Sequence, residues 1–193
     1  MSKVAWLFPG QGSQAVGMGM AFAAAEPASQ AVLAEADAAL GFALSQVMAE
    51  GPEETLKLTE HTQPAILTHS TMVVRACGAR LPRPDFVAGH SLGEYSALVA
   101  AGALTFADAV RTVRERGRAM QTAVPVGVGA MAAIIGMKVE DVEAGCREAA
   151  EATGKVVVPA NFNGAGQVVI AGHAEAVDAA IEVLKGKGGR KMV

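Results

Sequence analysis

A serine in a glycine-bounded turn is the first candidate for chemistry. The segment Gly89-His90-Ser91-Leu92-Gly93 fits the pattern G-x-S-x-G, directly after an apolar run and directly before a helical stretch. Such a strand-to-helix turn is crowded, which is why it needs glycines. It presents the serine hydroxyl at a helix N-terminus, where the N–H of Leu92 and the helix dipole can stabilise an oxyanion. The pattern predicts a nucleophilic Ser91, and the alternative is a serine that only caps a helix.

A serine nucleophile needs a base, and the four histidines offer none that is persuasive. They are His61, His69, His90 and His173. The side chain of His90 is expected to point away from its neighbour Ser91 and to pack. We therefore expect the base to lie outside these 193 residues.

A predicted helix over residues 105–122 carries four arginines. Arg111, Arg114 and Arg118 share one face, which is expected to be solvated. Arg116 lies on the opposite, apolar side, where an unpaired guanidinium would be costly. Its partner is either a protein carboxylate such as Glu94 or Asp108, or the carboxylate of a substrate. The spacing alone leaves both open.

Two further segments could contribute to a site. Gly10-Gln11-Gly12 follows the first predicted strand, and ligands bind at the carboxyl ends of strands in open α/β sheets. Gln63 opens a predicted helix, where an amide could hydrogen-bond active-site loops. A lone glutamine at such a position is more often on the surface.

Composition excludes several classes of protein. Of 193 residues 51% are hydrophobic and 18% charged, which excludes a disordered chain. A net charge of −3 argues against nucleic-acid binding, and no apolar run is long enough to span a membrane. Cys77 and Cys146 have neither disulfide-framework nor metal-site spacing, so we expect reduced thiols in a cytoplasmic protein.

The predicted elements form two parts. Residues 1–126 combine strands at 4–8 and 86–89 with helices at 18–25, 27–40, from 52, 62–80, 91–101 and 105–122. Residues 127–193 follow a β-α-β-β-α-β order, with strands at 130–135, 155–162, 167–171 and from 190, and helices at 139–153 and 174–186. Two strands are few for a parallel sheet, so we expect an incomplete first domain.

Taken together, the motifs resemble one enzyme family. The matching segments are Phe8-Pro9-Gly10-Gln11-Gly12-Ser13-Gln14, Thr62-Gln63-Pro64-Ala65, residues 89–98, Arg116-Gly117, and residues 129–136, 161–163 and 167–172. In this order they resemble the malonyl-CoA:acyl-carrier-protein transacylases. The resemblance implies an α/β fold, with an incomplete α/β-hydrolase-like large domain and an inserted ferredoxin-like subdomain from residue 127.

The resemblance also implies roles for individual residues. Ser91 would carry the malonyl group as an ester between malonyl-CoA and acyl carrier protein, without a metal or a cofactor. The N–H groups of Gln11 and Leu92 would form the oxyanion hole. Arg116 would pair with the free malonyl carboxylate, with Gln63 and His90 beside the substrate.

The family's catalytic histidine is expected after the last strand of the subdomain, beyond residue 193. We therefore expect the chain to have little or no activity alone unless a complementary chain supplies the missing part. Two alternatives remain open at this point. One is a serine esterase or thioesterase that uses the same turn, and the other is a non-catalytic fragment that binds carrier protein through its exposed arginines.

Overall fold

The chain folds into two compact units. The structure is a computed structural model that describes residues 2–125, 127–164 and 166–192. The units are Met1–Ala123 and Val124–Val193. The sequence predicted this boundary after residue 126, whereas the first unit ends at Ala123. Val126 itself lies outside the described residues.

The first unit is built around a helical core. Its helices are α1 (Met20–Ala25), α2 (Pro27–Leu40), α3 (Leu44–Glu50), α4 (Glu53–Lys57), α5 (Thr59–Cys77), α6 (Gly93–Ala100) and α7 (Phe106–Ala123), with a 3₁₀ turn at Gly78–Arg80. Helix α5 is buried on most sides, including its polar residues Thr62 and Gln63. A helix buried in this way forms the centre of a core, and α2, α6 and α7 pack around it.

Two parallel strands support the predicted site. Strand β1 (Ala5–Phe8) pairs with β2 (Phe86–Gly89) along their whole length. On one face Phe8 is buried, whereas on the other Leu7 and Phe86 are 76% and 56% exposed. Parallel sheets are normally covered on both faces, so this side presents apolar surface of the kind that a core usually buries.

The second unit is a four-stranded antiparallel sheet with two helices. Its elements are β3 (Gly129–Ile135), α8 (Val139–Thr153), β4 (Val157–Gly164), β5 (Gln167–His173), α9 (Ala174–Gly186) and β6 (Arg190–Met192). The strand order is β4-β5-β3-β6. Alternate residues of each central strand are buried, for example Ile134 in β3 and Ile170 in β5. They belong to the core that α8 and α9 share with the sheet. The predicted element order is confirmed, although the connection between the strands predicted at 155–162 and 167–171 includes Ala165, outside the described residues.

The structure corrects two predictions about helices. Helix α3 was not predicted, although its two buried residues, Leu44 and Met48, stand four apart as a helix requires. Helix α5 begins at Thr59 and not at Thr62, because the carbonyl of Leu58 already accepts the N–H groups of His61 and Thr62.

Cys77 and Cys146 are both free, and burial raises the pKa of the Cys146 thiol to about 11. In the part of the chain that the structure describes, no group of three potential His, Cys, Asp or Glu metal ligands occurs. Within the same residues, no helix combines the length and the apolar character needed to cross a bilayer.

We predict that acidification destabilises the first unit through α5. Burial lowers the pKa of His61 and His69 below the ordinary value of 6.5, and the Arg114 cation lowers that of His61 further. The unfolded chain therefore binds protons more readily at these rings. Their contribution to stability is complete above pH 6.5 and is lost as the pH falls through the lowered folded-state pKa.

Urea unfolding between roughly pH 7.5 and pH 5.5 checks this expectation. His69→Gln should flatten the decline of the unfolding free energy with falling pH. His173→Gln, in the second unit, is the matched control, and the decline that α5 causes should persist in it. An identical slope in His69→Gln and the unaltered chain would contradict the prediction.

Candidate active site

The G-x-S-x-G segment forms a strained turn between β2 and α6. Ser91 has φ = 52° and is the only non-glycine residue with positive φ in the described part of the chain. A Cβ atom on Gly89 would lie 1.9 Å from the Gly93 carbonyl carbon, and one on Gly93 would lie 2.3 Å from the Phe8 oxygen. The glycines are therefore required by close backbone approach, as the sequence predicted.

A single guanidinium joins three parts of the first unit. Nη2 of Arg116 donates to the exposed Ser91 Oγ at 3.0 Å, and Nη1 donates to Gln63 Oε1 at 2.7 Å. The ring of Tyr95 lies 6.0 Å from the guanidinium carbon. On its other side Gln63 donates from Nε2 to the sulfur of Met120 at 3.3 Å. The structure thus brings Ser91, Arg116 and Gln63 together.

Arg116 differs in its electrostatics from the other arginines of α7. Arg111 pairs with Asp108, Arg114 with Glu60, and Arg118 with Glu60 and Glu115. Arg116 has no carboxylate partner among the described residues. Of the two candidates named from sequence, Asp108 is held by Thr105 and Arg111, which keep the pKa of its carboxyl below the ordinary value.

Two expectations about exposure are wrong. Arg114 is not solvated, because its side chain is 18% exposed, pairs with Glu60 at 3.2 Å and lies 4.3 Å above the ring of Phe42. Gln63 is not on the surface, since it is 0% exposed. Both residues face the contact between α5 and α7, which a helical pattern read from one helix alone does not reveal.

The other predicted site residues surround the turn. Gln11 is exposed, and its Nε2 donates to Thr59 Oγ1 at 3.3 Å. His90 is also exposed, and its ring lies beside Gly10, where an added Cβ would be 2.9 Å from Nδ1. The side chain of Leu92 is buried beneath the turn. The roles of these three residues at a site stay predictions.

Two histidines of the first unit are engaged within its helical core. Nδ1 of His61 lies 3.1 Å from the Thr55 carbonyl oxygen, and His69 meets the ring of Phe22 edge to face. In the second unit, Nδ1 of His173 accepts the N–H of Val156 at 3.3 Å. None of these contacts involves Ser91, and the location of the base for a Ser91 reaction stays a prediction.

Sequence reasoning missed the contact of Met120 with Gln63, the ring of Tyr95 near Arg116, and the pairing of Glu60 with Arg114 and Arg118. Met120 follows Arg116 by four residues on α7, and this spacing was the available signal for their shared neighbourhood. Tyr95 lies four residues after Ser91, on the first turn of α6. Glu60 precedes Gln63 by three residues, which places both on one side of α5.

Comparison with known families decides what kind of protein carries this arrangement. Residues 5–193 match the family described as the acyl transferase domain. The chain belongs to that family. The resemblance predicted from the motifs is confirmed, and Ser91 and Arg116 both lie within the matched part of this acyl transferase chain.

Two relatives of the chain are named malonyl CoA-acyl carrier protein transacylases. The malonyl CoA-acyl carrier protein transacylase of Escherichia coli (strain K12) is 52% identical over 192 residues, which are 99% of this chain and 62% of the relative. Its counterpart from Coxiella burnetii is 45% identical with a TM-score of 0.92 over 99% of this chain and 61% of that structure. The acyl transferase chain thus spans about three fifths of the length of these relatives.

A third relative was solved with a partner. It is a malonyl-transacylase in complex with its type II PKS acyl-carrier protein, 47% identical to this chain with a TM-score of 0.92. The alignment covers 99% of this chain and 62% of that structure.

We predict that Gly93→Ala disrupts the turn. The added Cβ would meet the carbonyl of Phe8 in β1, which is backbone and cannot rotate aside. The chain should lose about 3 kcal/mol or more of unfolding free energy, at the upper end of overpacking costs. Gly186→Ala, at a helical position with open space around it, is the control and should change stability little. Urea midpoints measure both, and equal midpoints would contradict the prediction.

Proposed function

We propose that this chain provides the nucleophile and the carboxylate-binding part of a malonyl-CoA:acyl-carrier-protein transacylase. The observation that carries the proposal is the pairing of an exposed, strained Ser91 with the Arg116 guanidinium, which has no carboxylate partner in the described part of the chain. An arginine in such a position is suited to a substrate with its own free carboxylate. Neutral acyl thioesters offer no such group.

The reaction would proceed in two transfers. Ser91 Oγ attacks the thioester carbonyl carbon of malonyl-CoA, the C–S bond breaks, CoA leaves as the thiolate, and the hydroxyl proton passes to a base. The thiol of acyl carrier protein then attacks the ester carbonyl carbon and gives its proton to the base, the C–O bond to Ser91 breaks, and the base returns the proton to Ser91 Oγ. The N–H groups of Gln11 and Leu92 would stabilise the oxyanion formed in each step.

Arg116 would orient the malonyl group. A guanidinium has five N–H donors, and two of those on Arg116 are used by Ser91 and Gln63. The others remain for a carboxylate, which a guanidinium binds in a bidentate geometry. A malonyl carboxylate bound to Arg116 would bring the thioester carbonyl of the same substrate near Ser91, because the guanidinium also contacts the Ser91 hydroxyl. Gln63 and His90 would border the bound substrate.

The open face of β1 and β2 supports a further part of the proposal. Leu7 and Phe86 form an apolar surface on a parallel sheet, where a covering layer is normal. We propose that polypeptide corresponding to the part of the relatives that this chain does not span covers this face. A complementary chain, or a continuation of this one, would also supply the base for Ser91. The assembled enzyme would have an α/β-hydrolase-like domain with the second unit as a ferredoxin-like insertion, and it would act in the cytoplasm.

The two alternatives are less well supported. A guanidinium held beside Ser91 argues against a serine esterase that acts on neutral esters. A carrier-protein-binding fragment would depend on Arg111 and Arg118, which already pair with Asp108, Glu60 and Glu115. The named relatives are transacylases, and neither alternative is favoured by them.

We predict that Ser91 accepts a malonyl group from malonyl-CoA. With the part of the Escherichia coli relative that this chain does not span added to supply the base, mass spectrometry after exposure to malonyl-CoA should locate the adduct on Ser91, and Ser91→Ala should abolish it. Arg116→Ala should slow malonyl loading about 10- to 100-fold, the value of a lost charge-assisted hydrogen bond, and leave acetyl loading unaffected.

Arg111→Ala is the matched control, because it removes an exposed guanidinium of the same helix that pairs with Asp108, away from Glu60 and Gln63. It should leave the loading of both acyl groups unchanged. An equal loss of malonyl and acetyl loading in Arg116→Ala would refute the carboxylate role. Release of free malonate as fast as carrier protein is loaded would favour the esterase.

The covering of the open face has its own prediction. The segment of the Escherichia coli relative that this chain does not span, purified separately, should bind the chain, slow hydrogen exchange in β1 and β2, and raise malonyl transfer to carrier protein. Leu7→Glu combined with Phe86→Glu should prevent binding, since burying carboxylates there is costly. Phe162→Glu, at an exposed position in the second unit, is the control. Binding that leaves exchange in β1 and β2 unchanged would sink the idea.

A further inference from the structure

Helices α5 and α7 approach each other backbone to backbone. A Cβ atom on Gly117 would lie 2.7 Å from both the Cα of Glu60 and the carbonyl oxygen of Thr59. Neither atom belongs to a side chain that could rotate away, so any larger residue at 117 must push the helices apart. We call this contact of Gly117 with Thr59 and Glu60 the α5–α7 crossing.

Charges on both sides of Gly117 hold the α5–α7 crossing together. Oε2 of Glu60 lies 3.2 Å from Nη2 of Arg114 and 3.6 Å from Nε of Arg118. These two arginines precede and follow Gly117 on α7. Arg114 is the less exposed of the two, and its guanidinium also stacks on Phe42. One carboxylate thus engages two guanidinium groups and leaves Arg116 without a carboxylate.

The contacts of Arg116 depend on the distance between α5 and α7, which the α5–α7 crossing determines. Arg116 adjoins Gly117 on α7, and Gln63 lies one turn after Glu60 on α5. Their hydrogen bond of 2.7 Å would be lost if the helices separated by about 1 Å, because such bonds weaken beyond roughly 3.2 Å. The contact of Arg116 with Ser91 depends on the same placement.

We propose that the α5–α7 crossing is a positioning device that sets the Arg116 guanidinium relative to Ser91 and thereby gives preference to acyl groups with a free carboxylate. Gly117 and Arg114 are its positioning residues, and neither contacts Ser91. The inference rests on the proposed function, since the acyl preference is expressed at the same site.

The first test is independent of any substrate. In a crystal structure of Gly117→Ala, the distance from Arg116 Nη1 to Gln63 Oε1 should exceed 3.2 Å, against 2.7 Å in the unaltered chain. An unchanged distance would overturn the positioning role whether or not the chain transfers malonyl groups. Arg114→Met, which adds no atom to the backbone contact, serves in the same measurement if Gly117→Ala does not fold.

The second test is the ratio of malonyl to acetyl loading on Ser91, measured with the complementary segment of the Escherichia coli relative present. Gly117→Ala should lower this ratio about 10- to 100-fold, the effect of a misplacement near 1 Å. Arg114→Met should lower it in the same direction, and Arg114→Lys should restore part of it. Val113→Ala, a buried change on the same helix, should reduce thermal stability without altering the ratio.

The outcomes separate the two ideas. If the unaltered chain loads both acyl groups with no preference, the proposed function fails, while the crystallographic distance still decides the positioning role. If Gly117→Ala and Arg114→Met keep the unaltered ratio, or if Val113→Ala lowers it as much as they do, the positioning role fails and the proposed function stands.

Discussion

One guanidinium determines how the site is arranged. Arg116 on α7 donates one hydrogen bond to the hydroxyl of Ser91, in the turn between β2 and α6, and another to the amide of Gln63 on α5. Three elements therefore meet at one side chain. Hydrogen bonds weaken beyond roughly 3.2 Å, so each of these two bonds depends on the placement of the elements that it joins. The helical core of the first unit therefore does more than stabilise the chain, because its packing sets the distance between a nucleophile and a cation.

The same core allows the turn at Ser91 to keep its strained backbone. A non-glycine residue with positive φ persists only where the surrounding structure leaves no alternative. Here the backbone of Gly89 touches that of Gly93, and Gly93 in turn touches the carbonyl of Phe8. Strand β1, strand β2 and helix α6 thus form a rigid support, and the exposed hydroxyl stands on it.

Local patterns predicted what depends on local chemistry. The G-x-S-x-G turn, the parallel strands and the element order of the second unit follow from glycine spacing and apolar runs, and they are present. What failed depends on contacts distant in sequence. Arg114 seemed solvated on its own helix, yet Glu60 lies 54 positions earlier and pairs with it. Gln63 seemed a surface amide, because its partner Arg116 lies on another helix.

The identity of residue 63 has a consequence for the charge of the site. An amide can accept from a guanidinium without neutralising it, and here its other end is taken by the sulfur of Met120. A glutamate would occupy nearly the same volume and would accept the same hydrogen bond. It would also convert the contact into an internal salt bridge and leave Arg116 with little attraction for an outside anion. Replacing one NH₂ group by oxygen would thus neutralise the charge of Arg116 while leaving the shape of the site almost unchanged.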